Sequence, residues 1–293
     1  MHLAQFNDVA AREFVYPAHR FSGRGVVICG GGEKYYPCVW VCINMLRKVG
    51  CRLPIELWHF TGELSEIQMA LIQQLKVHCV DATEIRKSNP VRTLGGWQLK
   101  PYSIIHSSFQ EVLFLDADNV PIVDPTFLFE TAQYAATGAI FWPDRGRLDR
   151  SRSAWLVTGV AYRNEAEFES GQIVVDKKRC WKALQLTMHL NEWSDFFYRH
   201  FHGDKETFHL AWRKIDQPYS MPSRAIEELG GYSMAQHDFE GRRIFQHRCL
   251  PKWILKNNPH LPRFQFEAEC IEYLDHLSAQ MTKCNGGNGT SYK

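Results

Sequence analysis

Between Glu111 and Pro125, four apolar residues, Val112 to Leu115, run straight into two carboxylates one residue apart, Asp116 and Asp118. Asn119 and Asp124 follow closely. The apolar run is short, partly β-branched and aromatic, and stops at polar residues, so it predicts a buried strand. Side chains at i and i+2 point the same way in extended backbone. Asp116 and Asp118 are therefore expected to project together from the carboxyl end of a central strand, where open α/β sheets place their ligands. Two hard oxygen donors side by side suit Mg²⁺ or Mn²⁺ carrying a diphosphate. A strand ending in an acidic turn is the plainer alternative; Asn119, Asp124 and Pro125 weigh toward function.

Strand and helix signals alternate on the amino-terminal side of this segment. Gly25 to Cys29 reads as a first strand, followed by Gly30, Gly31 and Gly32 and by a helix from about Tyr36 to Val49. Pro54 to His59 reads as a second strand, Ser65 caps a helix, and Val77 to Val80 reads as a third strand. Trp97 to Ser108 is the helix that leads into the acidic strand. This alternation predicts an α/β fold with a mostly parallel sheet flanked by helices. Further on, Gly138 to Phe141 and Gly171 to Asp176 read as strands, Arg145 to Arg152 as a surface loop, and Lys177 to Tyr198 as a helix. The first 24 residues read as an arm and the last third as irregular. No Pro-, Ser- or Gly-rich linker divides the 293 residues, so one domain is expected.

Charge and cysteine usage narrow the class. A formal net charge of +2 is too small for a nucleic-acid footprint, so no nucleic-acid partner is expected. No run of about twenty apolar residues encodes a membrane span. Nine cysteines are scattered without a Cys-x-x-Cys pair, which reads as buried free thiols of a reducing compartment. No signal peptide is visible at the amino terminus. The Asn288 to Thr290 sequon is read as chance.

Several polar groups could complete a site. Gly30 to Gly32 allow a ligand to approach backbone closely, though they do not spell a phosphate-loop motif; a tight turn is the alternative. Lys100 lies upstream of the acidic strand and could meet a phosphate as a point charge. Glu169 and Gln172 flank a glycine at the start of a strand, at the end of the sheet. Asp204 and Glu206 lie in a dense polar turn and could accept hydrogen bonds from sugar hydroxyls. His247 is a borderline ligand compatible with Mn²⁺, and Lys252 follows five residues later.

Taken together, these segments resemble the GT-A glycosyltransferases, and among them the fungal α-mannosyltransferases that build cell-wall mannan. The resemblance rests on Trp97 to Tyr102, Val112 to Asn119, Glu169 to Gln172, Gly203 to Phe208, and His247 with Arg248, in family order. More distantly the chain is similar to the glycogenin and bacterial galactosyltransferase group, whose terminal His followed by Lys-Pro-Trp supplies metal and phosphate contacts. His247 and Lys252 with Trp253 would fill those places, although the intervening Pro is absent and the glycine is replaced. The turn Asp204 to Glu206 is similar to that group's Asp-Gln-Asp turn.

The resemblance implies a single GT-A domain over residues 1–293: an arm at 1–24, a nucleotide-binding half at 25–130 and an acceptor-binding half at 131–293. It implies Mn²⁺ (or Mg²⁺) held by Asp116, Asp118 and His247. A nucleoside-diphosphate sugar, GDP-mannose or a UDP-hexose, would bind at Gly30, Gly31, Gly32, Lys100, Asp116 and Lys252. Glu169, Gln172, Asp204 and Glu206 are the candidate catalytic residues for transfer to a saccharide or glycoconjugate acceptor, with retention of configuration. A sugar nucleotidyltransferase and a non-catalytic carbohydrate-binding protein are the competing readings. The fungal enzymes carry a membrane anchor and luminal stem that this sequence does not show. A cytoplasmic enzyme is therefore expected, with the luminal domain of a Golgi membrane enzyme as the alternative.

Overall fold

The computed structural model describes residues 1–286; the Asn288 sequon lies outside them. Helix α1 (His2–Ala11) is followed by three strand-then-helix units, β1 (Arg24–Cys29) and α2 (Gly32–Lys48), β2 (Ile55–His59) and α3 (Glu66–Gln74), β3 (Val77–Asp81) and α4 (Ala82–Ser88), and then by α5 (Leu99–His106) leading into β4 (Glu111–Asp116). Next come β5 (Asn119–Pro121), α6 (Ala132–Thr137), β6 (Ala139–Arg147), α7 (Ser153–Thr158), β7 (Ala166–Asp176), α8 (Lys177–Glu192), α9 (Ser194–Phe197) and α10 (Asp204–Lys214). The chain closes with β8 (Glu227–Gly230), β9 (Ser233–His237), β10 (Arg243–Arg248) and α11 (Glu267–Gly286).

The main sheet has the order β3-β2-β1-β4-β7-β6. Its first four strands are parallel, and β7 runs antiparallel to both β4 and β6. Strand alternation divides the core in two. Val26, Ile28, Leu113 and Leu115 join the side packed by α2 and α11, while Val27, Val112 and Phe114 join the side packed by α5, α8 and α10. Both faces of the central strands are covered, which explains why they read as unbroken apolar runs. Local signals set the helix ends: Ser65 and Gln68 form a reciprocal cap on α3, and Asp176 accepts the amides of Lys178 and Arg179 at α8.

A second sheet, in the order β5-β10-β9-β8, is antiparallel throughout. It corrects the expectation of an irregular last third. Residues 1–24 are more than an arm, because Phe6 of α1 is fully buried and packs on His189 and Phe197. Arg145 to Arg147 finish β6 rather than opening a loop, and β7 begins at Ala166, before the expected Gly171. The expected helix over 177–198 is broken at Trp193 into α8 and α9.

Candidate active site

Strand β4 ends at Asp116, a two-residue turn follows, and Asn119 begins β5 in the other sheet. The two aspartates therefore stand at the crossover between sheets. Their shared direction comes from this turn and not from strand pleating. Strand β10 pairs with β5 so that His247 faces Asn119 in the ladder. That pairing brings His247 Nε2 to 3.1 Å from Asp118 Oδ1. One ligand-type atom each from Asp116, Asp118 and His247 lies within 4.8 Å of the others.

Charge around this group is organised by two lysines. Lys252 Nζ bonds Asp118 Oδ2. Lys100 Nζ lies 3.0 Å from Asp116 Oδ1 and 2.8 Å from Asp204 Oδ2, and it donates to the Ser170 hydroxyl and carbonyl at 2.9 Å each. Burial opposes the Lys100 charge, but the Asp116 and Asp204 carboxylates outweigh it and hold the amine above its ordinary range. For Asp118, burial acts upward, and His247 and Lys252 together overcome it and hold the carboxyl well below the usual range. Burial raises Asp116 despite Lys100, and burial also raises Glu169.

Glu169 Oε1 accepts the Gly171 amide at 2.7 Å and stands 3.9 Å from His247 Nδ1. A buried carboxylate beside Nδ1 favours the tautomer that leaves Nε2 its lone pair, the arrangement of a metal-binding histidine. Among the described residues His247 Nδ1 has no hydrogen-bond partner. Gly171 makes this possible: a Cβ there would sit 2.7 Å from the His247 ring. The set of two carboxylates and one imidazole fits Mn²⁺ or Mg²⁺.

A cleft of about 210 Å³ opens from Asp116, Asp118, Lys100 and Lys252 toward Cys29, Gly30, Gly31, Tyr35, Phe60, Glu63 and Trp97. Gly30 and Gly31 line it, and neither has room for a Cβ: Val39 would lie 2.6 Å from one and Glu63 Cβ 2.7 Å from the other. Gly32 does not line the cleft; its φ of +67° turns the chain into α2.

Two expected catalytic residues are engaged elsewhere. The Gln172 carboxamide is fully buried, accepts from Asn119 Nδ2 at 2.7 Å and donates to Gln236, so it ties the two sheets together. Glu206 is buried in the first turn of α10, where it accepts the His202 amide at 3.0 Å and faces Arg152 at 3.4 Å. Asp204, from the same turn, does join the cluster through Lys100 and Ser170. Sequence reasoning missed Ser170 and the group in which Lys205 bonds both Asp144 and Glu167. It also missed Glu63, whose position just beyond the carboxyl end of β2 was a usable signal.

The family model described as a mannosyltransferase matches residues 23–167 and 160–248, which takes in the acidic turn, β7, the Asp204 turn and His247. The chain belongs to this mannosyltransferase family. It is 30% identical over 263 residues to the α-1,2-mannosyltransferase MNN24 of Candida albicans, covering 75% of this chain and 37% of the relative. It is 26% identical over 288 residues to the α-1,2-mannosyltransferase MNN5 of Saccharomyces cerevisiae, covering 78% of this chain and 49% of the relative. The chain thus spans half or less of the length of these relatives. An active-site mutant of LgtC superposes with a TM-score of 0.56 at 13% identity, covering 86% of this chain and 95% of that one. The glycosyltransferase GlyE of Streptococcus pneumoniae superposes with a TM-score of 0.55 at 15% identity, covering 90% of this chain and 64% of that one. The chain therefore has the GT-A fold of these neighbours.

Proposed function

We propose that the chain is a metal-dependent glycosyltransferase that moves a hexose from a nucleoside-diphosphate sugar, GDP-mannose or a UDP-hexose, to a saccharide hydroxyl with retention of configuration. The observation that carries this reading is the convergence of Asp116, Asp118 and His247 within 4.8 Å at one end of a cleft that also holds Lys100 and Lys252. A divalent ion on these three ligands would offset the charge of the departing diphosphate. Lys252 supplies further positive charge at that end of the cleft. Lys100 fixes Asp204 and Asp116 relative to each other, and Ser170 braces both Lys100 and Asp204. Retention needs either a carboxylate nucleophile or attack on the leaving-group face. Of the carboxylates expected to be catalytic, Glu169 and Asp204 border the metal-ligand group, whereas Glu206 is occupied by His202 and Arg152.

The test is incubation with a panel of sugar nucleotides and Mn²⁺, with and without chelator. Chelator-sensitive release of nucleoside diphosphate is the expected result. Release of pyrophosphate would establish a nucleotidyltransferase instead, and saccharide binding without turnover would establish a carbohydrate-binding protein. Among the described residues no helix is long and apolar enough to cross a membrane. We also propose a cytoplasmic location, supported by eight described cysteines that are all unpaired, five of them buried.

A further inference from the structure

The cleft holds one charged group that the proposed chemistry leaves without a task. Glu63 sits in the loop after β2, beside Phe60 and Tyr35, and lines the cleft together with Lys100 and Lys252. Its Oε2 accepts the Phe60 amide at 2.9 Å, and its Cβ and Oε2 occupy the space that a Cβ on Gly31 would need. Among the described residues no donor reaches Oε1. The carboxylate is thus fixed in place with one oxygen free. A negative group in a cleft built for a diphosphate is repulsive unless it meets N–H or O–H donors on another part of the ligand. Aromatic rings beside it offer the stacking surface that a base uses.

We infer that Glu63 reads the base of the donor and selects guanine over uracil; this rests on the reading of the cleft as a nucleoside-diphosphate-sugar site. Guanine presents two adjacent donors, N1–H and the exocyclic amine, which the carboxylate can accept together, one at the free Oε1 and one at the second lone pair of Oε2. Uracil presents one donor, N3–H, flanked by two carbonyl oxygens. Any carboxylate that takes that single proton sets its other oxygen against a carbonyl. Hydrogen bonds to a charged group are strong enough for one lost donor to be worth roughly tenfold or more in affinity. Phe60 keeps the carboxylate aimed through its own backbone amide, so a glutamine at 63 retains an acceptor for that amide and is expected to preserve the loop.

Calorimetric titration with GDP, IDP and UDP in the presence of Mn²⁺ tests this on the full chain. IDP lacks only the exocyclic amine. GDP is expected to bind at least about tenfold tighter than IDP or UDP, and Glu63→Gln is expected to weaken GDP by about tenfold while moving UDP by less than about threefold. Equal weakening of GDP and UDP would assign Glu63 to the ribose or to loop structure and overturn the inference. So would equal affinity of the native chain for GDP, IDP and UDP, which leaves the proposed function standing. Failure of all three nucleotides to bind would remove that function and the inference together.

Discussion

Replacing Gly171 with alanine isolates the link between sheet packing and the metal ligands. The added Cβ would lie 2.7 Å from His247 Cε1, 2.8 Å from Nδ1 and 3.1 Å from Glu169 Oε1. Ordinary contact begins near 3.4 Å, so the imidazole must retreat by about 0.7 Å or β7 must yield. Neither is easy. Strand β10 is paired on one side with β5 and on the other with β9, and β7 lies between β4 and β6. Overpacking of this kind costs about 1–3 kcal/mol in stability. The larger expected effect is on the site, because shifting a ligand and its orienting carboxylate lowers metal affinity about 10- to 100-fold. Mn²⁺ binding followed by electron paramagnetic resonance, together with melting curves with and without Mn²⁺, measures both effects. The variant should melt only a few degrees below the native chain without metal, and Mn²⁺ should shift its melting far less. Native Mn²⁺ affinity and native turnover in Gly171→Ala would refute the claim that His247 is held against β7 as a metal ligand.

Lys100→Met leaves the Asp116 and Asp204 carboxylates without their shared cation, and urea unfolding should show a loss of about 3–5 kcal/mol, partly recovered by adding Asp204→Asn. Lys177 gives a stability effect that depends on pH: it is fully buried, donates to the Ser107 carbonyl at 2.8 Å, and burial pushes its amine down to about 6. Its unfolded value is about 10.4, so between these values the unfolded state binds more protons and stability rises with pH. Urea midpoints measured from pH 6 to 10 should climb in the native chain and climb less in Lys177→Met; equal slopes would contradict this. Thiol titration of denatured chain without reductant should count all nine cysteines, and two or more disulfides would argue for the luminal alternative.

The parts of the fold that were legible in sequence are those buried on both faces. Val112 to Leu115 announced itself because a parallel central strand is apolar throughout, and Pro54 to His59 did so through Ile55, Leu57 and Trp58. Strands β9 and β10 did not, since Ser233, Gln236, His237, Gln246 and His247 are polar and yet buried between elements. Gln236 is held across the sheets by Gln172, and no period along the chain reports that. Asp116, Asp118 and His247 were legible as candidate ligands because their chemistry is carried by residue type, and the structure brings them together. The protein partners of Gln172 and Glu206 were not legible for the opposite reason: a polar residue in a motif looks the same in sequence whether its partner is a ligand or a neighbouring amide.

Asp118 and His247 are 129 residues apart and meet only through the short ladder between β5 and β10. Maturation of the site is consequently tied to the arrival of the carboxyl-terminal segment. A nascent chain released before β10 has its acidic turn but neither its imidazole nor Lys252, and on the proposed function it is expected to be inert toward a donor. The same holds for a clipped product cut between the sheets. Because closing so long a loop costs entropy before the contact is made, the proposed transfer activity would serve as a readout of a finished chain.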